Sequence, residues 1–314
     1  MTHSTGSETS QDSDTPESWP AHEAAAPLVL SFNASDPTGA GGLTGDALVA
    51  ASVGAHLLPV VTGVYLRDTR DALDHVPLDD ATIAEQARLI AEDMALQAVK
   101  VGFVGSAEAV AAIAAFASDY PQLPVIAYMP DLSWWDEQAI DDYQDAFREL
   151  LLPQTAVLVG NNTTLRHWLL PESASRRAGG ATDLARAAAA LGVSYVLVTG
   201  LPQPGGQVGS VLASAQAELC QQSFERIDAG FLGAGDTLSA ALAGLLATGS
   251  ELTEATVEAL QYLDQALDHG FSPGMGRAVA DRLFWAEPED LPETPAQDTP
   301  SAADPSFPPH DTKH

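Results

Sequence analysis

Short apolar runs alternate with longer amphipathic stretches from residue 27 to residue 286, and few architectures accept a chain patterned in this way. The runs at 27–33, 56–65, 98–104, 123–128, 155–159 and 195–198 are rich in Val, Leu and Ile and end in turn or polar residues. Runs of that length and make-up read as buried strands. The stretches at 43–53, 81–97, 107–118, 136–151, 181–191, 236–248 and 252–267 read as helices. Ser106 stands where it can cap the third of them. Residues 207–213 and 218–226 read as a hairpin or a pair of edge strands. Strand and helix in turn predict an α/β fold: a central, mainly parallel sheet flanked by helices on both faces. Its crossovers should be right-handed, and ligands should gather at the carboxyl ends of the strands.

Charge and composition exclude several classes of function. The chain has 43 acidic and 13 basic residues, a net charge of −30. No basic stripe is present, so nucleic acid is not an expected partner. An anionic membrane would repel this surface, and no uninterrupted apolar window is long enough to span a bilayer. The first residues lack a basic segment followed by an apolar core, so no secretory signal is expected. Cys220 is the only cysteine, which removes internal disulfides and multi-cysteine metal sites. Cytoplasm is the expected compartment. The dispersed acidity suits high ionic strength, where screening relieves self-repulsion. Residues 1–26 and 287–314 are rich in acids, Pro, Ser and Thr, and they are expected to be disordered tails on one folded domain at 27–286.

The most site-like segment runs from Ile227 to Ala241. Gly233, Ala234 and Gly235 precede a helix of small residues, so backbone N–H groups and the helix dipole can converge on an anion. Asp236 follows at once. It reads either as an ordinary helix cap or as a carboxylate that takes the proton of an attacking hydroxyl. A second loop, Ser35-Asp-Pro-Thr-Gly-Ala-Gly-Gly42, follows the first strand and leads toward Asp46. It matches neither a dinucleotide fingerprint nor a P-loop. His56, His75, His167 and His269 are scattered without metal spacing and read as surface or packing residues. No protein-borne metal site is expected. Trp134 and Trp135 read as cover for a core edge or a pocket lid. Lys100, the only lysine of the folded part, falls on a central strand and reads as half of a buried ion pair.

Six segments in order resemble the hydroxymethylpyrimidine and phosphomethylpyrimidine kinases, members of the ribokinase-like superfamily together with the pyridoxal kinases. They are 35–46, 60–62, 98–106, 151–153, 196–200 and 233–239. The resemblance implies a ribokinase-like fold, ATP and Mg2+ as cofactors, and phosphoryl transfer to a small-molecule hydroxymethyl group or phosphate in thiamin biosynthesis. It implies a catalytic base at Asp236, an anion hole at Gly233, Ala234 and Gly235, and substrate contacts at Ala34, Asp46, Arg67 and Phe103. It puts the nucleotide at Asn161, Thr199 and Gly200. Such kinases are often dimers, which leaves a homodimer open. The chain also departs from the pattern. Asp236 stands where the pyrimidine kinases usually carry cysteine, as aspartate does in pyridoxal kinases. Arg67 stands where a glutamine or glutamate reads the ring, and arginine has no acceptor to offer. Thr164 replaces a glutamate that organises magnesium, Tyr128-Met-Pro-Asp131 replaces Asp-Pro-Val-Met, and Leu201-Pro202 replaces a glycine-rich continuation. A pyridoxal-type or other small-molecule kinase, or a non-catalytic ligand-binding relative, therefore stays open.

Overall fold

The computed structural model describes residues 26–170 and 180–286. The expected tails at 1–26 and 287–314 lie outside them, apart from Ala26. Strands β1 (Leu28–Ser35), β2 (His56–Arg67), β3 (Ala72–Pro77), β4 (Ala98–Val101), β5 (Val125–Met129), β6 (Val157–Asn161), β7 (Tyr195–Pro202), β8 (Gln207–Ala213) and β9 (Glu218–Glu225) form one sheet. Their order is β3-β2-β1-β4-β5-β6-β7-β8-β9. From β2 through β7 across the sheet the pairs are parallel, while β3, β8 and β9 run antiparallel to their neighbours. Val29 to Ala34 of β1 are all buried, as a strand covered on both faces must be.

The helices are α1 (Gly42–Ser52), α2 (Asp80–Asp93), α3 (Ala107–Asp119), α4 (Glu137–Ala146), α5 (Asn162–Leu169), α6 (Ala181–Ala189), α7 (Ala234–Ala247) and α8 (Leu252–Asp268). One apolar core holds Ile83, Ile113, Tyr143, Leu165 and Leu184, from α2 to α6. A second holds Val49, Leu242 and Leu260, from α1, α7 and α8. The two cores cover opposite faces of the sheet. Burying each of Leu238, Leu242 and Leu245 of α7 contributes about 2 kcal/mol. The small residues of α7 let α1 approach: a Cβ on Gly244 would stand 2.5 Å from Val53 Cγ2. Among the described residues no helix is long and apolar enough to cross a membrane.

The chain leaves β1 for β2 on one side, then returns to place β4 on the other. That reversal opens a crevice at the carboxyl ends of β1 and β4, the usual place for a ligand in such sheets. The predicted helix at 136–151 divides instead into α4 and a π-helical turn, Phe147–Leu151. Three features were not predicted: β3, α5, and a short parallel pair, β10 (Phe231–Leu232) with β11 (Ala278–Val279).

Candidate active site

The loop after β1 and the turn before α7 interlock. Gly233 has φ 72°, and a Cβ there would overlap the Ala40 carbonyl. Only glycine combines that backbone angle with that proximity. Arg282 fastens the two segments from behind. It is almost fully buried and donates to Thr237 Oγ1 at 3.1 Å, to the Gly39 carbonyl at 3.2 Å and to the Ala40 carbonyl. The first intrahelical bond of α7 runs from the Thr237 N–H to the Gly233 carbonyl at 2.9 Å. The N–H groups preceding it have no acceptor within the helix and lie where the helix dipole is positive. Substituting Gly233→Ala should therefore cost about 3 kcal/mol of stability and most of the activity, checked by urea melts and turnover.

Asp236 does not cap α7. Gly233 occupies the cap, and the Asp236 carboxylate reaches across to β1, β4 and α1. Its Oδ1 accepts from Lys100 Nζ at 2.7 Å and from Asn33 Nδ2 at 2.9 Å, and its Oδ2 accepts from the Gly42 N–H at 3.2 Å. The side chain remains 17% exposed, and Oδ2 accepts one hydrogen bond where Oδ1 accepts two. Lys100 also donates to both oxygens of Asp46 at 2.9 Å. Asp46 Oδ2 further accepts from Ser31 Oγ at 2.8 Å and Asn33 Nδ2 at 3.0 Å. Lys100 and Asp46 are fully buried.

The result is one buried ammonium between two carboxylates. Burial opposes ionisation of Asp236, but the charge and hydrogen bond of Lys100, with Asn33 and the Gly42 N–H, outweigh it. The pKa of Asp236 is held below the usual carboxylate range. Burial, and then the charge of Asp236, push Asp46 upward against the pull of Lys100. Lys100 would lose its proton more readily through burial alone. The two carboxylates reverse that, so it stays charged.

A cavity of about 390 Å3 opens against the turn and is lined by Gly233 to Asp236, Arg67, Asn161 and Thr199. The structure thus brings most of the expected site residues to one place. Gly200 sits beside them: its φ is 75°, and a Cβ would overlap the Asn161 amide. Asn161 caps α5 by accepting from the Thr163 N–H at 2.9 Å. A second cavity of about 640 Å3 shares Tyr128, Asp131, Ser133 and Asn161 with the first and reaches Thr164, so the groove continues past β5 and β6.

Three expected acceptor contacts stand behind the wall rather than on it. Ala34 is fully buried beneath Gly42. Asp46 is committed to Ser31, Asn33 and Lys100. Phe103 lies inside an aromatic cluster, stacked on Tyr65 with centroids 5.5 Å apart and edge-on to Trp134 at 5.6 Å. In the described structure they support the site and do not face its cavity. Several wall residues had no site reading from sequence, among them Tyr65, Arg70 and Arg277, and Tyr128 had entered only as part of the segment that departs from the family pattern. Ser31 and Asn33 had a detectable signal: they are two apart in an apolar strand, so they share a face. Ser31 is paired with Lys100 in the β1–β4 register.

His75, on β3, is a packing residue as expected, but deeply so. Its ring is edge-on to Tyr65 at 5.4 Å and to Phe103 at 5.0 Å, and neither ring nitrogen has a hydrogen-bond partner. Burial lowers its pKa to about 4, well below the ordinary 6.5. Between those values the unfolded chain binds a proton that the folded chain refuses. Stability is therefore complete above pH 6.5 and falls as pH drops toward 4, by up to about 3 kcal/mol. Denaturant melts across that window should show the slope, and His75→Leu should flatten it.

No group of three or more His, Cys, Asp or Glu able to hold a metal occurs among the described residues. Asp71 and Asp131 are further carboxylates on the cavity wall.

A doubly wound sheet, a glycine turn at a helix N-terminus and a carboxylate beside it define a small-molecule kinase of the ribokinase-like fold. The match to the phosphomethylpyrimidine kinase family model covers residues 36–281, and the chain belongs to that family. It is 28% identical over 263 residues to the hydroxymethylpyrimidine/phosphomethylpyrimidine kinase of Streptomyces coelicolor, covering 83% of this chain and 95% of the relative. A Rhizobium meliloti relative of the same name is 28% identical over 253 residues, covering 76% and 90%. Among solved structures, the ADP complex of Bacillus subtilis pyridoxal kinase superposes with a TM-score of 0.73 at 22% identity, covering 83% of this chain and 99% of that one. The phosphomethylpyrimidine kinase of Clostridium difficile gives 0.62 at 21% identity, covering 77% and 99%. At that identity the structural likeness speaks for the fold.

Proposed function

We propose that this chain transfers the γ-phosphoryl group of ATP to hydroxymethylpyrimidine or its phosphate, a step of thiamin biosynthesis. The observation that carries the reading is the Asp236 carboxylate beside the Gly233–Gly235 turn at the mouth of the cavity. An acceptor oxygen attacks the γ-phosphorus and the bond to the ADP oxygen breaks. The proton of an acceptor hydroxyl passes to Asp236, and ADP leaves. The N–H groups of the turn bear on the charge that spreads over the moving phosphoryl oxygens.

An ionised, low-pKa carboxylate suits this chemistry. Phosphoryl transfer has a loose transition state in which the nucleophile needs little deprotonation, so a weak but correctly placed base is sufficient. Asn161, the last residue of β6, and Thr199, its register partner on β7, are the residues proposed for the nucleotide. Magnesium is expected to be held mainly by nucleotide phosphates and water, with Asp71 and Asp131 the nearby protein carboxylates. The lone cysteine is consistent with a reducing compartment, and a cytoplasmic location accompanies the proposal.

Asp236 in place of cysteine favours a second reading, a pyridoxal-type acceptor. ATP consumption measured with hydroxymethylpyrimidine, its phosphate and pyridoxal separates the two. Transfer to a pyrimidine supports the first, and transfer to pyridoxal alone supports the second. No transfer to any of them would remove both and leave a ligand-binding relative.

A further inference from the structure

Only 13 residues of the chain are basic against 43 acidic, yet three arginines, Arg67, Arg70 and Arg277, line the cavity beside the turn. A surface of net charge −30 repels anions, so arginines gathered at one cavity mark where an anion is wanted. A nucleotide triphosphate needs some of that charge. Arg67 is placed to do something else.

The topology separates the two ends of the site. Asn161 ends β6, and Thr199 is its register partner on β7. Arg67 ends β2, four strands from β6 in the sheet order. At about 4.8 Å per strand these ends are ~19 Å apart, with the turn before α7 between them. In-line transfer puts donor and acceptor on opposite sides of the moving phosphoryl group. With the nucleotide at β6 and β7, Arg67 belongs to the acceptor.

The guanidinium of Arg67 is held but not consumed. It lies 5.4 Å from the centroid of the Tyr65 ring. Its Nη1 is 3.7 Å from Asp36 Oδ2, an ion pair too long for a hydrogen bond. Its Nε is buried and has no hydrogen-bond partner. A buried N–H without an acceptor destabilises the free protein until a ligand supplies one. The planar guanidinium fork matches the two oxygens of a carboxylate or phosphate. Arg67 also has no acceptor for a ring N–H, so it cannot read a neutral pyrimidine as an amide would.

We propose that Arg67 is the specificity-determining residue of the acceptor side, and that it binds an anionic group, phosphate or carboxylate, carried by the acceptor. The inference rests on the kinase reading for its orientation, and its test is separable from that reading. Calorimetry with the full chain would measure binding of three probes: neutral hydroxymethylpyrimidine, its phosphate, and a hydroxymethylpyrimidine carrying a carboxylate. Wild type is expected to bind at least one anionic probe tenfold or more tighter than the neutral one, and the two anionic arms tell phosphate from carboxylate. Arg67→Gln should abolish the preference, Arg67→Lys should keep part of it, and the affinity for ATP should change less than twofold in both. Equal affinity for neutral and anionic probes would overturn the proposal. So would an Arg67→Gln loss that falls on ATP. If phosphoryl transfer occurs without the preference, only this inference fails. If the preference holds without transfer, the kinase reading fails and the anion site stands.

Discussion

Asp236→Asn should lower turnover by roughly a hundredfold to ten-thousandfold while leaving the fold in place. The amide keeps the shape of the carboxylate. Its oxygen can still accept from Lys100 or from the Gly42 N–H, the partners it has now at 2.7 and 3.2 Å. What it loses is the ability to take a proton from the acceptor. Removing one of two carboxylates from around a single ammonium also leaves Lys100 paired with Asp46, so no charge is stranded. Steady-state kinetics and a urea melt of the same preparation check this. A fall in kcat with KM for ATP nearly unchanged is the expected pattern. A melt shifted as strongly as the rate would mean that Asp236 acts mainly by holding the fold.

Lys100→Met should have the largest effect on stability. It leaves Asp46 and Asp236 in the same buried space without the cation that lies within 2.9 Å of both. Breaking a buried pair in this way costs about 3–5 kcal/mol. The sign of the pH dependence is distinctive. In wild type the Lys100 charge holds Asp236 ionised, with its pKa below the usual range. In the variant, burial and mutual repulsion raise both carboxylates, so the folded state takes up a proton at a higher pH than the unfolded chain does. Lowering the pH from 7.5 to 5.5 should therefore stabilise Lys100→Met relative to wild type, and the acid limb of its activity should move upward. Urea melts at the two pH values measure it. A loss of stability independent of pH would mean that Lys100 contributes packing rather than charge.

Much of the architecture was legible because strands covered on both faces leave a simple mark. β1, β4 and β6 are nearly continuous apolar runs, and the glycine turn before α7 is plain in the sequence. β3 was hidden because an edge strand needs no apolar run: Ala-Leu-Asp-His-Val-Pro carries an acid and a proline. α5 was hidden because Asn162-Thr-Thr begins it, and those residues favour turns as readily as helices.

The site was legible where backbone chemistry makes it and obscure where tertiary contacts do. Gly233, Gly235 and Asp236 form a local motif. The partnership of Asp46 with Lys100 joins residues 54 apart, and that of Asp236 with Lys100 joins residues 136 apart. Periodicity does not report such meetings. Lys100 was recognisable as a buried, paired lysine because it interrupts an apolar central strand, but its partners were not. The family resemblance made Asp46 a substrate contact, whereas in the fold its carboxylate holds Lys100. Phe103 looked like a pocket wall, and Tyr65 and Trp134 stand in front of it.

The central claim is that the turn before α7 and Asp236 pass a phosphoryl group from ATP to a small acceptor. Phosphorus NMR of the full chain with ATP, magnesium and the pyrimidine acceptors tests it most directly. A new phosphoryl resonance on the acceptor, growing in step with ADP and abolished by Asp236→Asn, is the predicted result. Unchanged ATP, or release of inorganic phosphate alone at the same rate in wild type and Asp236→Asn, would contradict it.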